Sequence, residues 1–297
     1  MKKIIFNLII LIFLISNCLE AEQKELVDEV GRHVLIRTYP PQRIISLAPS
    51  ITELLFVLGQ GSKIVGVTDY CNKPEEALKI TKVGGFSNPN SELIIALKPD
   101  LVIGTTEGNP IELVDELSRI SIPLFTLRQK KFDDILKNVL SVAEAIGALD
   151  KGKELFNKLK EYIEVRKKMK VLNDKKDRIL LLIWVRPIIV PGGSSYIDEI
   201  IRLSSLESAT ANYKGEWVHL NEEELIKLNY DAIIYATHKP NEKNEVANYI
   251  SNNKKLFKHI PIYTIDEEIL RPAVSFPEVI VQLDKIALEL NKRNERR

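Results

Sequence analysis

The sequence predicts an α/β chain built as two Rossmann-like lobes joined by a single long helix, and three observations carry that expectation. Short apolar runs alternate with amphipathic stretches from Arg43 onward, the scheme restarts after Lys176, and one pattern recurs without a gap in both halves. Such alternation places strands in a sheet whose two faces are covered by helices. At 297 residues the chain also exceeds what one hydrophobic core usually absorbs.

Taken in order, residues 44–47 read as the first strand and 53–58 as a helix. Strands follow over 63–67, 101–104 and 123–126, with helices over 110–120 and 132–147. Between the halves, Leu155, Leu159, Tyr162, Ile163, Met169 and Leu172 recur at helical spacing among lysines and glutamates, predicting one helix from about Asp150 to Leu172. At 1.5 Å per residue it would reach roughly 35 Å, tying two lobes at a nearly fixed angle where a Gly/Ser linker would let them tumble. An ordinary surface helix within one domain is the plainer alternative. Strands then follow over 179–185, 232–236 and 262–265, and an amphipathic helix over 275–291 closes the chain. The expected division is a leader over 1–21, an N-terminal extension over 22–42, a first lobe over 43–148, a linking helix over 149–174 and a second lobe over 175–297.

The recurring pattern is Asn90, Glu92, Leu97, Asp100 and the apolar run 101–103, matched at constant offset by Asn221, Glu223, Leu228, Asp231 and 232–234. Each copy describes a capped short helix, a turn and a buried strand, so the two lobes are expected to share one topology around a cleft. Convergent helix-start chemistry is the alternative, since Asn at an N-cap and Glu in the first turn stabilise any helix.

At the start, Lys2 and Lys3 precede an apolar stretch over 4–15, interrupted by Asn7, and small or polar residues follow. That pattern predicts a signal peptide; the stretch is short of the ~20 residues a membrane-spanning helix needs. Leu14, Ile15, Ser16 and Asn17 before Cys18 resemble a lipobox, with Asn17 where Gly or Ala is usual. Lipidation of Cys18 would anchor the chain stably, and cleavage near Ala21 would free it. Cys71 is the other cysteine, which leaves no disulfide for the mature lobes. The chain is therefore expected outside the cytoplasm, touching a membrane only through that anchor.

A formal net charge of +1 argues against a nucleic-acid binder. Gly-x-Ser-x-Gly, Walker and Gly-x-Gly-x-x-Gly signatures are absent, so no catalytic residues are expected. Ser50 and Ser194 could each start a helix, and Gly192 to Ser195 offers either an anion cradle or, more plainly, a turn before a helix at Tyr196. The histidines, His33, His219, His238 and His259, lack the spacing of a local metal site, and none is expected.

The stretch RIISLAPSITEL at 43–54, VGVTDY at 65–70, VGGF at 83–86, and Asn90 through Ile103 resemble the periplasmic binding proteins for cobalamin, haem and iron-siderophores. The likeness extends over the mature chain, from DEVGR at 28–32 through the bridging helix. It implies a class III periplasmic binding protein fold, a monomer that serves an ABC importer, and a permease dimer with ATPase subunits as partner. The likeness is nearest to the cobalamin-binding branch, with haem or ferric siderophore as alternative ligands. By that resemblance Pro49 and Ser50 open the cleft, Tyr70, Phe86 and Trp217 cover the corrin ring, either Ile183 or Trp184 supplies another contact, and Arg271 approaches the ligand's polar edge. Thr105 stands where a relative has an aromatic residue. Glu92 and Glu223 are implied to dock on permease arginines. The chemistry agrees with these assignments: a flat, partly apolar macrocycle is covered at low entropic cost by aromatic rings, and polar rim groups suit a guanidinium.

Overall fold

The chain starts, in a computed structural model that describes residues 22–171, 176–237, 245–257 and 260–295, with an antiparallel hairpin of β1 (Glu22–Val27) and β2 (His33–Tyr39). The expected leader with Cys18, and also Leu172, His238 and His259, lie outside the described residues. Alternation along β2 turns Val34 and Ile36 inward. Asp28 closes the turn: its carboxylate accepts the Arg32 backbone N–H at 2.9 Å, the Arg32 guanidinium at 2.7 Å, and the Thr126 N–H at 3.3 Å, which fastens the hairpin to the first sheet.

That sheet comprises β3 (Ile44–Ser46), β4 (Ile64–Val67), β5 (Leu101–Thr105) and β6 (Leu124–Leu127), all parallel in the order β4-β3-β5-β6. Strands covered on both faces are apolar almost throughout, which is why they stand out as short runs. Helices α1 (Pro49–Val57), α2 (Ser91–Ala96), α3 (Ile111–Arg119) and α4 (Phe132–Ala145) surround it. Helix α1 begins earlier than the expected 53–58 because Pro49 opens the first turn, where its missing N–H costs nothing. Helix α5 (Leu149–Val171) then runs 23 residues to the second half.

The second parallel sheet holds β7 (Asp177–Leu182), β10 (Leu206–Ser208), β12 (Ala232–Thr237) and β13 (Ile262–Asp266) in the order β10-β7-β12-β13. In chain order both sheets run second, first, third, fourth. The repeat extends to hydrogen bonds: Asn90 accepts from Leu93 N–H and Asn221 from Glu224 N–H, while Asp100 accepts from Arg43 N–H and Asp231 from Arg178 N–H. Each aspartate thus ties the start of its sheet's third strand to the start of the first. The strand expected over 179–185 is divided, because β8 (Trp184–Val185) leaves the parallel sheet and joins β9 (Ile188–Pro191) and β11 (Trp217–Leu220) in a small antiparallel one. Helices α6 (Tyr196–Leu203), α7 (Glu222–Lys227), α8 (Glu245–Asn252) and α9 (Phe276–Glu295) complete the half. No helix among the described residues is long and apolar enough to cross a membrane.

One continuous buried cluster joins the halves, running from Ile51 and Leu55 on α1 through Leu159 and Ile163 on α5 to Ile200 on α6 and Ile280 on α9. Phe276 sits at its junction, edge-on to Phe132 at 4.9 Å between ring centroids and to Tyr162 at 6.2 Å. Arg166 on α5 pairs with Asp284 at 2.8 Å and donates to the Leu203 carbonyl at 2.9 Å. Glu53 of α1 accepts the Ser275 N–H at 2.9 Å, so a carboxylate of the first half caps the start of α9 in the second. Burial pushes the Glu53 pKa up, and the bonds from Ser275 oppose that rise.

Two expected results follow from this junction. A Cβ on Gly152 of α5 would stand 2.3 Å from the Ala143 Cβ on α4, so the helices touch because no side chain intervenes. Gly152→Ala should force them apart and cost about 1–3 kcal/mol, as overpacking does, read from urea unfolding midpoints. Lobes that share a core also resist hinging, and scattering profiles of the protein with and without ligand should differ only slightly; a marked contraction on ligand addition would contradict this.

Candidate functional site

The loops following β3, β4, β5 and β6 in the first lobe and β13 in the second converge on one cleft of about 560 Å³. Open parallel sheets present ligands with the carboxyl ends of their strands, and both sheets do so here. Of the residues expected at the ligand, Pro49, Ser50, Tyr70, Phe86, Trp217 and Arg271 line this cleft together.

Each is held from behind. Ser50 donates to the Gln129 side chain at 2.9 Å, linking the loops after β3 and β6. Tyr70 projects from its loop with 59% of its surface exposed. That loop is pinned by Cys71, buried and free, whose sulfur accepts from the Thr52 hydroxyl at 3.1 Å, and by the Lys82 ammonium, which donates to the Cys71 carbonyl at 2.9 Å. The Phe86 ring lies flat against Gly108, where a Cβ would fall 2.1 Å from a ring carbon. Trp217 faces the cleft from the other lobe, 44% exposed, with β11 anchored by its pairing to β9.

Two expected contacts are corrected. Thr105 is buried and does not line the cleft; its hydroxyl accepts from Gly108 N–H, its own N–H donates to Asn109, and Asn109 donates to the Phe86 carbonyl. It supports the Phe86 loop from beneath. Trp184 is 43% exposed but lies outside the lining. Register explains this: Trp184 pairs with Ile189, and Trp217 with Pro191, so both indoles share one face of the small sheet while standing two strands apart, about 10 Å. The Gly192–Gly193 turn is not an anion cradle either. Its amides donate to the Glu216 and Tyr213 carbonyls, and Ser195, rather than Ser194, caps α6 through the Asp198 N–H.

Arg271 spans the cleft instead of standing free in it. One guanidinium nitrogen donates to the Asn72 side chain of the first lobe at 2.7 Å, another pairs with Glu267, and the side chain is 14% exposed. Beside it Lys73 of the first lobe pairs with buried Glu268 of the second. Asn72, Glu107, Gln129, Lys130, Tyr196, Glu216 and Glu267 also line the cleft and were missed from sequence. A signal existed for several of them, since they occupy loops just beyond strand carboxyl ends. Among the described residues no group of three or more metal-ligating side chains is gathered.

Glu92 and Glu223 are both exposed in the first turns of α2 and α7. The caps there are supplied by Asn90, and by Asn221 with Glu224, and among the described residues neither Glu92 nor Glu223 has a side-chain hydrogen bond or ion pair.

A family model described as Periplasmic binding protein matches residues 44–261. The ABC transporter substrate-binding lipoprotein YvrC of Bacillus subtilis is 28% identical over 270 residues, covering 88% of this chain and 83% of YvrC. The vitamin B12-binding protein of Pectobacterium atrosepticum is 24% identical over 257 residues, covering 84% of this chain and 88% of that protein. Among solved structures, the periplasmic vitamin B12 binding protein BtuF of Vibrio cholerae superposes with a TM-score of 0.69 at 21% identity, over 85% of this chain and 99% of that one. A periplasmic haem binding protein from Pseudomonas aeruginosa gives 0.75 at 19% identity, over 83% and 92%. At such identities the superpositions show a shared fold.

Proposed function

Since the chain belongs to the periplasmic binding protein family, whose members bind substrates for transport and are not enzymes, we propose that it captures cobalamin or a related corrinoid between its lobes and hands it to an ABC importer. The observation that carries the ligand is the convergence of Tyr70 and Phe86 from one lobe and Trp217 from the other on a single cleft. Three aromatic side chains on opposing walls suit a broad flat ring inserted edge-first, and few fixed hydrogen bonds are then needed. The vitamin B12-binding relatives favour the corrinoid, and the haem-binding neighbours make haem the second reading, for which the exposed Tyr70 phenol would supply an iron ligand.

The partners are a two-fold permease with its ATPase subunits, engaged through Glu92 and Glu223. Export and lipidation at Cys18 would hold the protein at the membrane surface, as YvrC, a lipoprotein, supports. The test of the ligand is direct. Purified protein is incubated with cobalamin, haem or a ferric siderophore, desalted, and its absorption spectrum recorded. Retention of the cobalamin spectrum at one equivalent is expected; retention of haem or siderophore alone would replace the assignment.

A further inference from the structure

We propose that the rim of the cleft selects ligands whose periphery carries carboxamides and rejects those carrying carboxylates, an inference that rests on the corrinoid reading and specifies the chemistry within it. Asp69 and Glu107 of the first lobe and Glu216 and Glu267 of the second line the cleft, against two cations, Lys130 and Arg271. Arg271 is already committed to Glu267 and Asn72, so Lys130 is the lining cation left to meet an anionic ligand. Glu107 accepts from the Thr106 hydroxyl at 2.5 Å and the Gln129 N–H at 3.1 Å. The Asp69 and Glu216 carboxylates take no side-chain hydrogen bond or ion pair among the described residues.

An ionised carboxylate is an acceptor only, so its complement on a ligand is an N–H donor. A ligand carboxylate beside it sets acceptor against acceptor and like charge against like, inside a cleft that screens less than bulk water. Tyr196 adds an independent constraint. It lines the same cleft from the first turn of α6, is 6% exposed, and its hydroxyl has no hydrogen-bond partner among the described residues. Burial pushes this phenol's pKa up, which keeps it a neutral O–H donor. A buried hydroxyl without a partner is costly; its oxygen is closed to water, so a ligand carbonyl would meet it, and relieve that cost, through a small turn of the ring toward the cleft. A carboxamide offers both complements, N–H to the carboxylates and C=O to Tyr196. A carboxylate offers only the second.

The experiment compares two corrinoids with the same ring, cobinamide with its amide rim and cobyrinic acid with its carboxylate rim, by titration of the full chain at neutral pH and low salt. Cobinamide should bind at least about tenfold more tightly, in keeping with the cost of opposed like charges. The triple variant Asp69→Asn, Glu107→Gln, Glu216→Gln should narrow that ratio, mainly by a gain for cobyrinic acid. Tyr196→Phe should weaken cobinamide several-fold without lowering the unfolding midpoint, where a merely structural tyrosine would leave affinity unchanged. Equal affinity for the two corrinoids, or a ratio untouched by the triple variant, overturns this inference and leaves the corrinoid reading intact. Binding of neither corrinoid overturns that reading, and this one with it.

Discussion

Replacement of Trp217 by alanine is expected to weaken cobalamin binding by about 1–3 kcal/mol, roughly 5- to 150-fold in dissociation constant, while the protein remains folded. The separation of the two effects follows from the strand. Leu220 of β11 is buried in a core cluster and the backbone of β11 pairs with β9 throughout, whereas the indole is half open to the cleft. Truncation therefore removes a wall that the ligand alone would cover. Calorimetric titration gives the affinity and urea unfolding the control. An unchanged affinity would reject Trp217 as an anchor, and a large fall in stability would assign the ring to the fold.

Reversal of both proposed docking charges, Glu92→Arg with Glu223→Arg, is expected to leave ligand affinity unchanged and to reduce transporter-coupled ATP hydrolysis and uptake. The glutamates lie in equivalent positions of the two halves, exposed, and the capping of their helices is performed by Asn90, Asn221 and Glu224. What they give their own helices is the favourable placement of a negative charge at a helix start, about 0.3–1 kcal/mol each. A rim ion pair is individually weak, roughly 0–1 kcal/mol, yet a pair of charges set one on each lobe fixes orientation and speeds encounter with a two-fold partner. Reversal converts both attractions into repulsions at once. Normal uptake by the double variant in reconstituted vesicles would reduce these residues to helix-dipole partners.

What was legible in the sequence was what local pattern encodes. The strands of the two parallel sheets are apolar runs because helices cover both faces, and α5 announces itself by spacing over 23 residues. The repeat was visible because Asn90 and Asn221, like Asp100 and Asp231, do the same work in each half. The hairpin of β1 and β2, and β9 and β11 of the small sheet, were not expected as strands, since β1 is largely polar, β2 mixes polar with apolar residues on a half-exposed ribbon, and β9 and β11 are only four residues each. Residues transferred by position line the cleft where a loop projects and fall outside its lining where depth or strand offset decides. Thr105 is one layer too deep, and Trp184 two strands too far. The tie between Asn72 and Arg271 joins residues remote in sequence, and nothing local to either announces the other.

The cluster that runs unbroken from α1 through α5 to α9 also determines how the molecule comes apart. Because the halves share this buried cluster behind the cleft, neither can melt without exposing apolar surface of the other, and heating should produce a single cooperative endotherm. Any compound that seats in the cleft then stabilises the whole chain by mass action, moving that one endotherm upward as its concentration exceeds the dissociation constant. Colourless candidates become as visible as coloured ones: a plate of small molecules heated with the protein would rank its ligands by melting temperature alone.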